Sequence, residues 1–506
     1  MNMTKPAEKL ILSYARVSRE GKSIRPSYLV DMMRKLFPQI QIEKADANLS
    51  PLAQIIGEKD GLMVLADGLR DYREGGKKRA NVEEVAALLK LYREQGSYQE
   101  LTGKMCEAAF MQYQHSPLSQ VVARAIYGTM LENSVSRLEQ YAACAYAHFL
   151  QYGLRLKERE LFQFEQIDLG NIYHSVLEVF AGKLAENQYT WFDFPQEEGE
   201  RLLNEALESC AVDYGETILF SNARYEYMLE RIYRILKRTV STLQTQLRGG
   251  AFGPAHFEMS FSRVENLESV NIALTGQEKM KLRGRIDRID TFEDDEHVYV
   301  KVIDYKSGSK KFDLAALYYG LQLQLVVYMN VASELEKRKH PDKEIVPAAL
   351  LYYHVNDPML KEEKELSPEE INERLQKELR MTGVVSDDEK VISLLDTTFS
   401  DKSLIVPVER KKDGSYSASS SVISKEDYQV VSDFVNHKIR TLGREILDGS
   451  IEVSPYEQGS RNACTYCDYK NVCGFDEKIP GFKTRVLQDM TEDELMEKMR
   501  EDMLWQ

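Results

Sequence analysis

An apolar strand pattern that ends in an aspartate and a lysine is the feature that most restricts the fold of this chain. The segment 298–306 alternates valines with other residues and closes with Asp304 and Lys306. Because alternate side chains share one face of a strand, these two groups are presented together beyond a row of valines. The preceding segment, 282–290, is a second strand pattern that offers Asp287. The sequence therefore predicts an α/β protein with two carboxylates and an ammonium group at one sheet edge.

Two acids and a lysine that converge at strand ends suit a divalent-metal phosphodiesterase. Carboxylate oxygens bind Mg²⁺, and a lysine orients a water molecule or stabilises developing negative charge. The alternative is a charged strand end in solvent, since short motifs often match by accident. The upstream strand, with Gly284-Arg-Ile-Asp287, favours the catalytic interpretation.

Helical patterns place three further polar side chains on apolar faces. His174 lies within an apolar helix predicted at 171–184, where it is either a third ligand for Mg²⁺ or Mn²⁺ or a core histidine. Gln324 and Tyr328 are four residues apart in a helix predicted at 315–335 and share one face. They either contact a phosphate or the scissile strand, or they bond to the sheet as a buried amide and phenol.

Three closely spaced cysteines, Cys464, Cys467 and Cys473, have the pattern of a metal site. Three thiolates need a fourth ligand to complete a tetrahedral ion site or a cubane cluster. From spacing alone, zinc is the simplest occupant. The candidates for the fourth ligand are the remaining cysteines, Cys106, Cys144 and Cys210, of which Cys144 has the most compact aromatic setting.

Composition narrows the class of protein. A formal net charge of −15 over 506 residues disfavours a protein that coats nucleic acid, so DNA binding would need a local basic surface. One helix face offers either such a surface or a merely solvated one: Arg224, Arg231, Arg234, Lys237 and Arg238. The cysteine usage, the missing signal peptide and the missing apolar run predict a cytoplasmic protein without a membrane span.

Taken together, these motifs resemble the RecB-family branch of the PD-(D/E)xK nucleases. The matching features are His174, Glu258, Gly284-Arg-Ile-Asp287, Asp304-Tyr-Lys306, Gln324-x₃-Tyr328, and Cys144 with Cys464, Cys467 and Cys473. Within that branch, the segments 136–144 and 154–160 are similar to the AddB family, whose members belong to the bacterial AddAB helicase–nucleases.

The resemblance implies a restriction-endonuclease-like fold, in which helices flank a central mixed sheet. It implies a Mg²⁺ or Mn²⁺ site formed by His174, Asp287, Asp304 and the Tyr305 carbonyl oxygen. Asp287, Asp304 and Lys306 would be catalytic, with the lysine positioning or activating the attacking water. Gln324 and Tyr328 would hold DNA or the lysine, and the role of Glu258 stays open. A [4Fe–4S] cluster on the four cysteines would clamp the two ends of the domain.

The resemblance also implies three regions. Residues 1–120 are similar to the end of a superfamily-one motor, but Lys5 stands where an arginine would reach ATP, so this segment is expected to be motor-inactive. Residues 130–480 would form the nuclease domain and 481–506 a charged tail helix. Because the family's chains are longer, we expect a C-terminal fragment or a truncated frame.

The implied function is degradation of single-stranded DNA, on the 5′-ended strand, during double-strand-break processing. The implied partners are single-stranded DNA, duplex DNA ends and an AddA-type helicase–nuclease subunit in a heterodimer. Two alternatives are a non-catalytic clamp on DNA ends and a stand-alone RecB-like exonuclease with a zinc staple. Two local predictions complete the analysis: a strand at 10–14 and a helix-capping box formed by Ser136 and Glu139.

Overall fold

The computed structural model describes residues 7–16, 23–40, 52, 55–74, 82–159, 166–213, 223–264, 267–360 and 367–504. The chain divides into two compact units, residues 1–111 and 112–506. Lys5, on which the motor resemblance depends, lies outside the described residues. Within the described ranges, no helix has both the length and the apolar character that crossing a bilayer requires.

The first unit is helical in its described parts. Its helices are α1 (Tyr28–Leu36), α2 (Glu58–Glu74), α3 (Val82–Glu94) and α4 (Gln99–Ala109). A small core of Leu65, Leu69, Leu88 and Tyr92 joins the last three. The strand predicted at 10–14 is wrong, because these residues pair with no other strand in the described chain.

The second unit contains the remaining elements. Its helices are α5 (Gln120–Tyr127), α6 (Val135–Ala143), α7 (Ala145–His148), α8 (Gln166–Glu186), α9 (Gln196–Asp213), α10 (Ala223–Arg248), α11 (Leu314–Tyr318), α12 (Gln324–Lys339), α13 (Pro368–Glu378), α14 (Glu389–Leu395), α15 (Lys425–Leu447), α16 (Lys470–Cys473) and α17 (Glu492–Leu504). Its strands are β1 (Met130–Ser134), β2 (Gly253–Ser260), β3 (Asn271–Ala273), β4 (Lys279–Arg283), β5 (Arg285–Glu293), β6 (His297–Lys306), β7 (Glu344–His354), β8 (Thr382–Ser386), β9 (Val422–Ile423), β10 (Tyr456–Gln458), β11 (Arg461–Asn462) and β12 (Arg485–Val486).

A six-stranded mixed sheet in the order β2-β5-β6-β7-β8-β9 forms the centre of this unit. The β6/β7 and β8/β9 pairs are parallel, and the other pairs are antiparallel. Two further sheets have three strands each, in the orders β1-β4-β3 and β11-β10-β12. The predicted fold class, a central mixed sheet flanked by helices, is confirmed.

The two faces of β6 bury different cores, as strand alternation requires. Val298, Val300 and Val302 pack with residues of α6, α12 and α15. Tyr299 and Tyr305 pack on the opposite side with residues of α8, α9 and α10. Asp304 continues the valine face, so the predicted presentation of this carboxylate beside Lys306 is confirmed.

Two local predictions fail for identifiable reasons. The helix predicted at 315–335 divides into α11 and α12, because Gly320 adopts a left-handed backbone (φ +81°) between them. The capping box is also wrong: Ser134, rather than Ser136, caps α6 by accepting the Arg137 N–H. Glu139 is thereby free to bond elsewhere.

Candidate active site

The carboxylate of Asp287 joins the ends of strands β5 and β6. Its Oδ2 accepts the backbone N–H of Tyr305 at 2.7 Å, beyond the last regular pair of the ladder. Asp304 lies on the neighbouring strand and is 1 % exposed. The two predicted acids are therefore brought to one sheet edge, with the Tyr305 backbone between them.

His174 reaches this edge from α8. Its Nδ1 lies 3.1 Å from Glu258 Oε1 and 3.4 Å from Asp287 Oδ1, while its Nε2 lies 3.2 Å from the Tyr305 carbonyl oxygen. Burial alone would lower the pKa of His174, but hydrogen bonds and attraction from Asp287 and Glu258 outweigh it and raise the pKa to about 10. The apolar stripe predicted around this histidine packs in the core, so its imidazole is left facing acids.

Glu258 is the site residue whose role the sequence left open. It lies in β2 and has a left-handed backbone, with φ +45°, whereas the irregularity of the β2/β5 register lies upstream, between Pro254 and His256. This strained backbone accompanies a carboxylate that is 4 % exposed and lies 3.1 Å from the His174 ring. The ligand atoms of His174, Glu258 and Asp287 all lie within 4.8 Å of one another. No local sequence signal marks Glu258, and family resemblance was its one indication.

Lys306 connects Asp304 to the two polar residues of α12. Its Nζ lies 2.5 Å from Asp304 Oδ2 and donates to Gln324 Oε1 at 3.1 Å. Gln324 Nε2 in turn donates to the Tyr328 hydroxyl at 2.9 Å. The predicted residues Asp304, Lys306, Gln324 and Tyr328 thus form one continuous polar network, in which the amide holds the ammonium group.

The donors at this edge fit a hard divalent cation. Neither carboxylate oxygen of Asp304 has a hydrogen bond of good geometry within the described chain, although the group is buried. Burial and repulsion from Asp287 raise the pKa of Asp304 to about 7, against the attraction of Lys306. Carboxylate, imidazole and carbonyl donors are those that bind Mg²⁺ or Mn²⁺. Asp304 is not in the compact group of His174, Glu258 and Asp287, which the prediction did not anticipate.

Basic residues around the site have unequal roles. Arg285 lies at the rim, 55 % exposed, with Nη1 3.3 Å from Glu258 Oε2. Arg288 instead is buried and bonded to Asp290. On α10, Arg234 and Arg238 both bond Asp357, which favours a solvated, neutralised face over a DNA surface.

The four predicted cluster cysteines, Cys144, Cys464, Cys467 and Cys473, line one cavity of about 160 Å³. Cys144 is the C-cap of α6, Cys464 and Cys467 lie between β11 and α16, and Cys473 is the last residue of α16. Burial and the neighbouring thiols raise the pKa of Cys464 to about 11. Cys106 and Cys210 pack against separate apolar clusters. Four converging thiols are a donor set that fits a zinc ion or an iron–sulfur cluster.

Comparison with known proteins shows the family to which the chain belongs. The sequence model of the PD-(D/E)XK nuclease superfamily matches residues 132–474. An ATP-dependent helicase/deoxyribonuclease subunit of Lachnoclostridium phytofermentans is 39% identical over 99% of this chain and 43% of its own length. The proteins of the same name from Alkaliphilus metalliredigens and Bacillus mycoides are each 32% identical over 99% of the chain.

The chain spans less than half the length of these curated relatives, 43% and 44% in the last two cases. The superfamily match, in contrast, covers most of the chain and contains every residue of the site described above. On that match, the chain belongs to the PD-(D/E)XK nuclease superfamily.

Proposed function

We propose that this chain is a Mg²⁺- or Mn²⁺-dependent deoxyribonuclease that hydrolyses single-stranded DNA. The observation that carries the proposal is the meeting of two polar groups at one sheet edge. One is the acid–imidazole group of His174, Glu258 and Asp287, and the other is the network of Asp304, Lys306 and Gln324. A purely structural role would not need a buried carboxylate whose close partner is an ammonium group that a neighbouring amide holds in place.

The site residues have two roles, which are binding the cation and orienting the attacking water. His174, Glu258, Asp287, Asp304 and the Tyr305 carbonyl oxygen would hold the cation. A bound Mg²⁺ or Mn²⁺ lowers the pKa of a coordinated water and neutralises charge on the scissile phosphate. Lys306 is placed to orient the attacking water and to donate to a phosphate oxygen, and Gln324 and Tyr328 keep its ammonium group in place. Water adds to phosphorus as the bond to the leaving oxygen breaks.

The relatives' names suggest the setting in which this chemistry occurs. They are subunits of ATP-dependent helicase/deoxyribonucleases. We extend that role to this chain and propose an AddA-type partner, with cleavage of the 5′-ended strand as it leaves the motor. The polarity rests on family resemblance, while the site chemistry rests on the residues above.

Digestion of end-labelled single-stranded DNA tests the proposal. Cleavage by the wild-type chain should require Mg²⁺ or Mn²⁺ and stop in EDTA, and labels at each end report the polarity. Asp304→Ala and Lys306→Ala should each lower the rate at least about 100-fold without loss of fold or DNA binding. Lys412→Ala, an exposed lysine in a polar loop, is the control. Binding without cutting by the wild-type chain would favour the alternative, a DNA-end clamp, and persistent cutting by purified Asp304→Ala would refute the assignment.

We also propose that the four cysteines bind a [4Fe–4S] cluster. The four thiols that line the cavity are a donor set for either occupant, and the family resemblance favours the cluster over a zinc ion. Other contacts already close this part of the domain, including the Tyr469 hydroxyl, which donates to the Leu156 carbonyl oxygen at 3.0 Å. Anaerobic purification should yield a brown protein with iron and sulfide, whereas a colourless protein with one zinc would contradict the cluster.

Loss of the cluster should loosen the packing of the cysteine-containing segment against the rest of the domain. Cys467→Ala should lose the metal and become more sensitive to proteases around residues 454–474, because the segment would keep only its hydrogen bonds. Cys210→Ala, outside the cavity, is the matched control. A digestion pattern unchanged from wild type would argue against a clamp.

A further inference from the structure

Glu139 of α6 bonds to the first turn of α12, far away in the sequence. Its Oε1 accepts the backbone N–H of Leu323 at 2.7 Å and that of Gln324 at 3.2 Å. Leu323 is the N-cap of α12, and its side chain makes no capping hydrogen bond. Helix starts leave such N–H groups without an internal partner. The carboxylate from α6 therefore supplies the cap that the local sequence of α12 lacks.

The position of this carboxylate is well defined. Its neighbours on α6, Leu138 and Ala142, are buried in the main core, and Leu323 is also buried. The Glu139 side chain is 16 % exposed, and its second oxygen lies 4.0 Å from Lys310 Nζ. Burial raises the pKa of the Glu139 carboxyl, against the attraction of Lys310 and the hydrogen bonds from the Leu323 and Gln324 N–H groups, which favour the ionised acceptor.

The capped residue belongs to the catalytic network. Gln324 donates its backbone N–H to Glu139 and accepts the Lys306 ammonium group through its side chain at 3.1 Å. We propose that Glu139 is a positioning residue of the nuclease centre, which fixes the Gln324 backbone and, through the amide, holds Lys306. This inference rests on the proposed nuclease function. Glu139 itself touches none of the reacting groups.

The same helix supplies a matched control. Glu334, near the other end of α12, accepts the backbone N–H groups of Glu268 at 2.9 Å and Ser269 at 3.0 Å. Its side chain is 22 % exposed, close to the value for Glu139. Both residues are carboxylates that accept two backbone N–H groups, but the hydrogen bonds of Glu334 lead to the 268–269 segment and not to the catalytic network. Comparing the two separates positioning from general stabilisation.

Steady-state cleavage of single-stranded DNA with Mg²⁺ should distinguish the positioning role of Glu139 from the purely stabilising role of Glu334. Removing a residue that orients a catalytic group through another residue typically lowers activity about 10–100-fold. We expect Glu139→Ala to lower kcat by that factor with KM within about twofold, since DNA contacts stay intact. Glu139→Gln keeps the acceptor and should restore kcat to within about threefold. Glu334→Ala should lower the thermal midpoint by an amount similar to Glu139→Ala but leave kcat unchanged.

Two further measurements complete the test. In a Gln324→Ala background, Glu139→Ala should lower kcat little further, because both changes break one route to Lys306. Amide hydrogen exchange at residues 323 and 324 should be faster in Glu139→Ala and near wild type in Glu139→Gln. Wild-type kcat in Glu139→Ala, an equal loss in Glu334→Ala, or full additivity with Gln324→Ala would each overturn the inference. A wild-type chain without metal-dependent cleavage would instead refute the proposed function, and the exchange data would still report on the cap.

Discussion

Asp290 is the centre of a buried ion cluster on β5, three residues beyond Asp287. It accepts Arg288 Nε at 2.6 Å and Nη2 at 2.9 Å, and Lys301 Nζ lies 2.9 Å away. The side chains of Asp290, Arg288 and Lys301 are 0 %, 1 % and 7 % exposed. Asp290→Ala would leave two cations in an apolar setting, beside the rings of Trp191 and Phe252.

The loss of unfolding free energy that we expect for Asp290→Ala is large because the ion cluster is buried. Breaking a buried pair by removing one partner costs about 3–5 kcal/mol, and here one carboxylate serves two cations, so we expect about 5 kcal/mol of lost unfolding free energy. Asp357 also bonds two cations, Arg234 and Arg238, but at the surface. Asp357→Ala should therefore cost at most about 1 kcal/mol.

The pH dependence follows from the direction of the Asp290 shift. Burial alone would raise the pKa of Asp290, but Arg288 and Lys301 outweigh it and hold the pKa below its usual value. The stabilisation is therefore complete above the unfolded pKa of about 4 and is lost as the pH falls through the lower folded pKa. In the wild-type chain, the contribution of the ionised Asp290 should stay constant between about pH 6 and pH 8.

Guanidinium unfolding of the two single variants and of an apolar triple variant tests this reasoning. Replacing a buried ion cluster with apolar residues of similar volume is often neutral or stabilising. The triple change Arg288→Met, Asp290→Leu and Lys301→Met should thus recover most of the loss caused by Asp290→Ala. A triple variant no more stable than Asp290→Ala, or equal losses for Asp290→Ala and Asp357→Ala, would refute the argument from burial.

Two other substitutions have distinct expected outcomes. Glu258→Gln should weaken Mn²⁺ binding, measured by calorimetry, at least about tenfold. The control is Glu178→Gln, because Glu178 also faces Arg285 but is 49 % exposed, and its Mn²⁺ affinity should stay near wild type. Equal affinities for both variants would exclude Glu258 as a ligand. Gly383→Ala should destabilise the chain by about 3 kcal/mol or more, since Gly383 has φ +134° and a Cβ there would press on the Leu350 carbonyl oxygen of β7. Gly276→Ala, in open space, should change stability little, and a similar midpoint for both glycine variants would contradict this packing argument.

Local patterns in the sequence were enough for the central strand and for several site residues. The alternation of valines in β6 predicted that Asp304 and Lys306 share a face, because a strand repeats every two residues whatever packs around it. Helical spacing likewise placed Gln324 and Tyr328 together, and the two side chains are hydrogen bonded. The cysteine spacing likewise predicted that Cys464, Cys467 and Cys473 belong to one site, and they line one cavity. Each of these predictions depends on residues within about ten positions of one another.

Only the tertiary structure decided which residues from distant parts of the sequence contact these site residues. Glu258 and His174 are 84 residues apart, and the left-handed backbone of Glu258 has no signal in the local sequence. Glu139 looked like part of its own helix cap, yet it caps a helix 184 residues away, because Ser134 already occupies the local role. Arg288 carries a charge that is almost never fully buried alone, yet it is 1 % exposed because Asp290 pairs with it inside the protein. Periodicity specifies the face on which a side chain lies, whereas its partner depends on packing between elements that no short stretch of sequence contains.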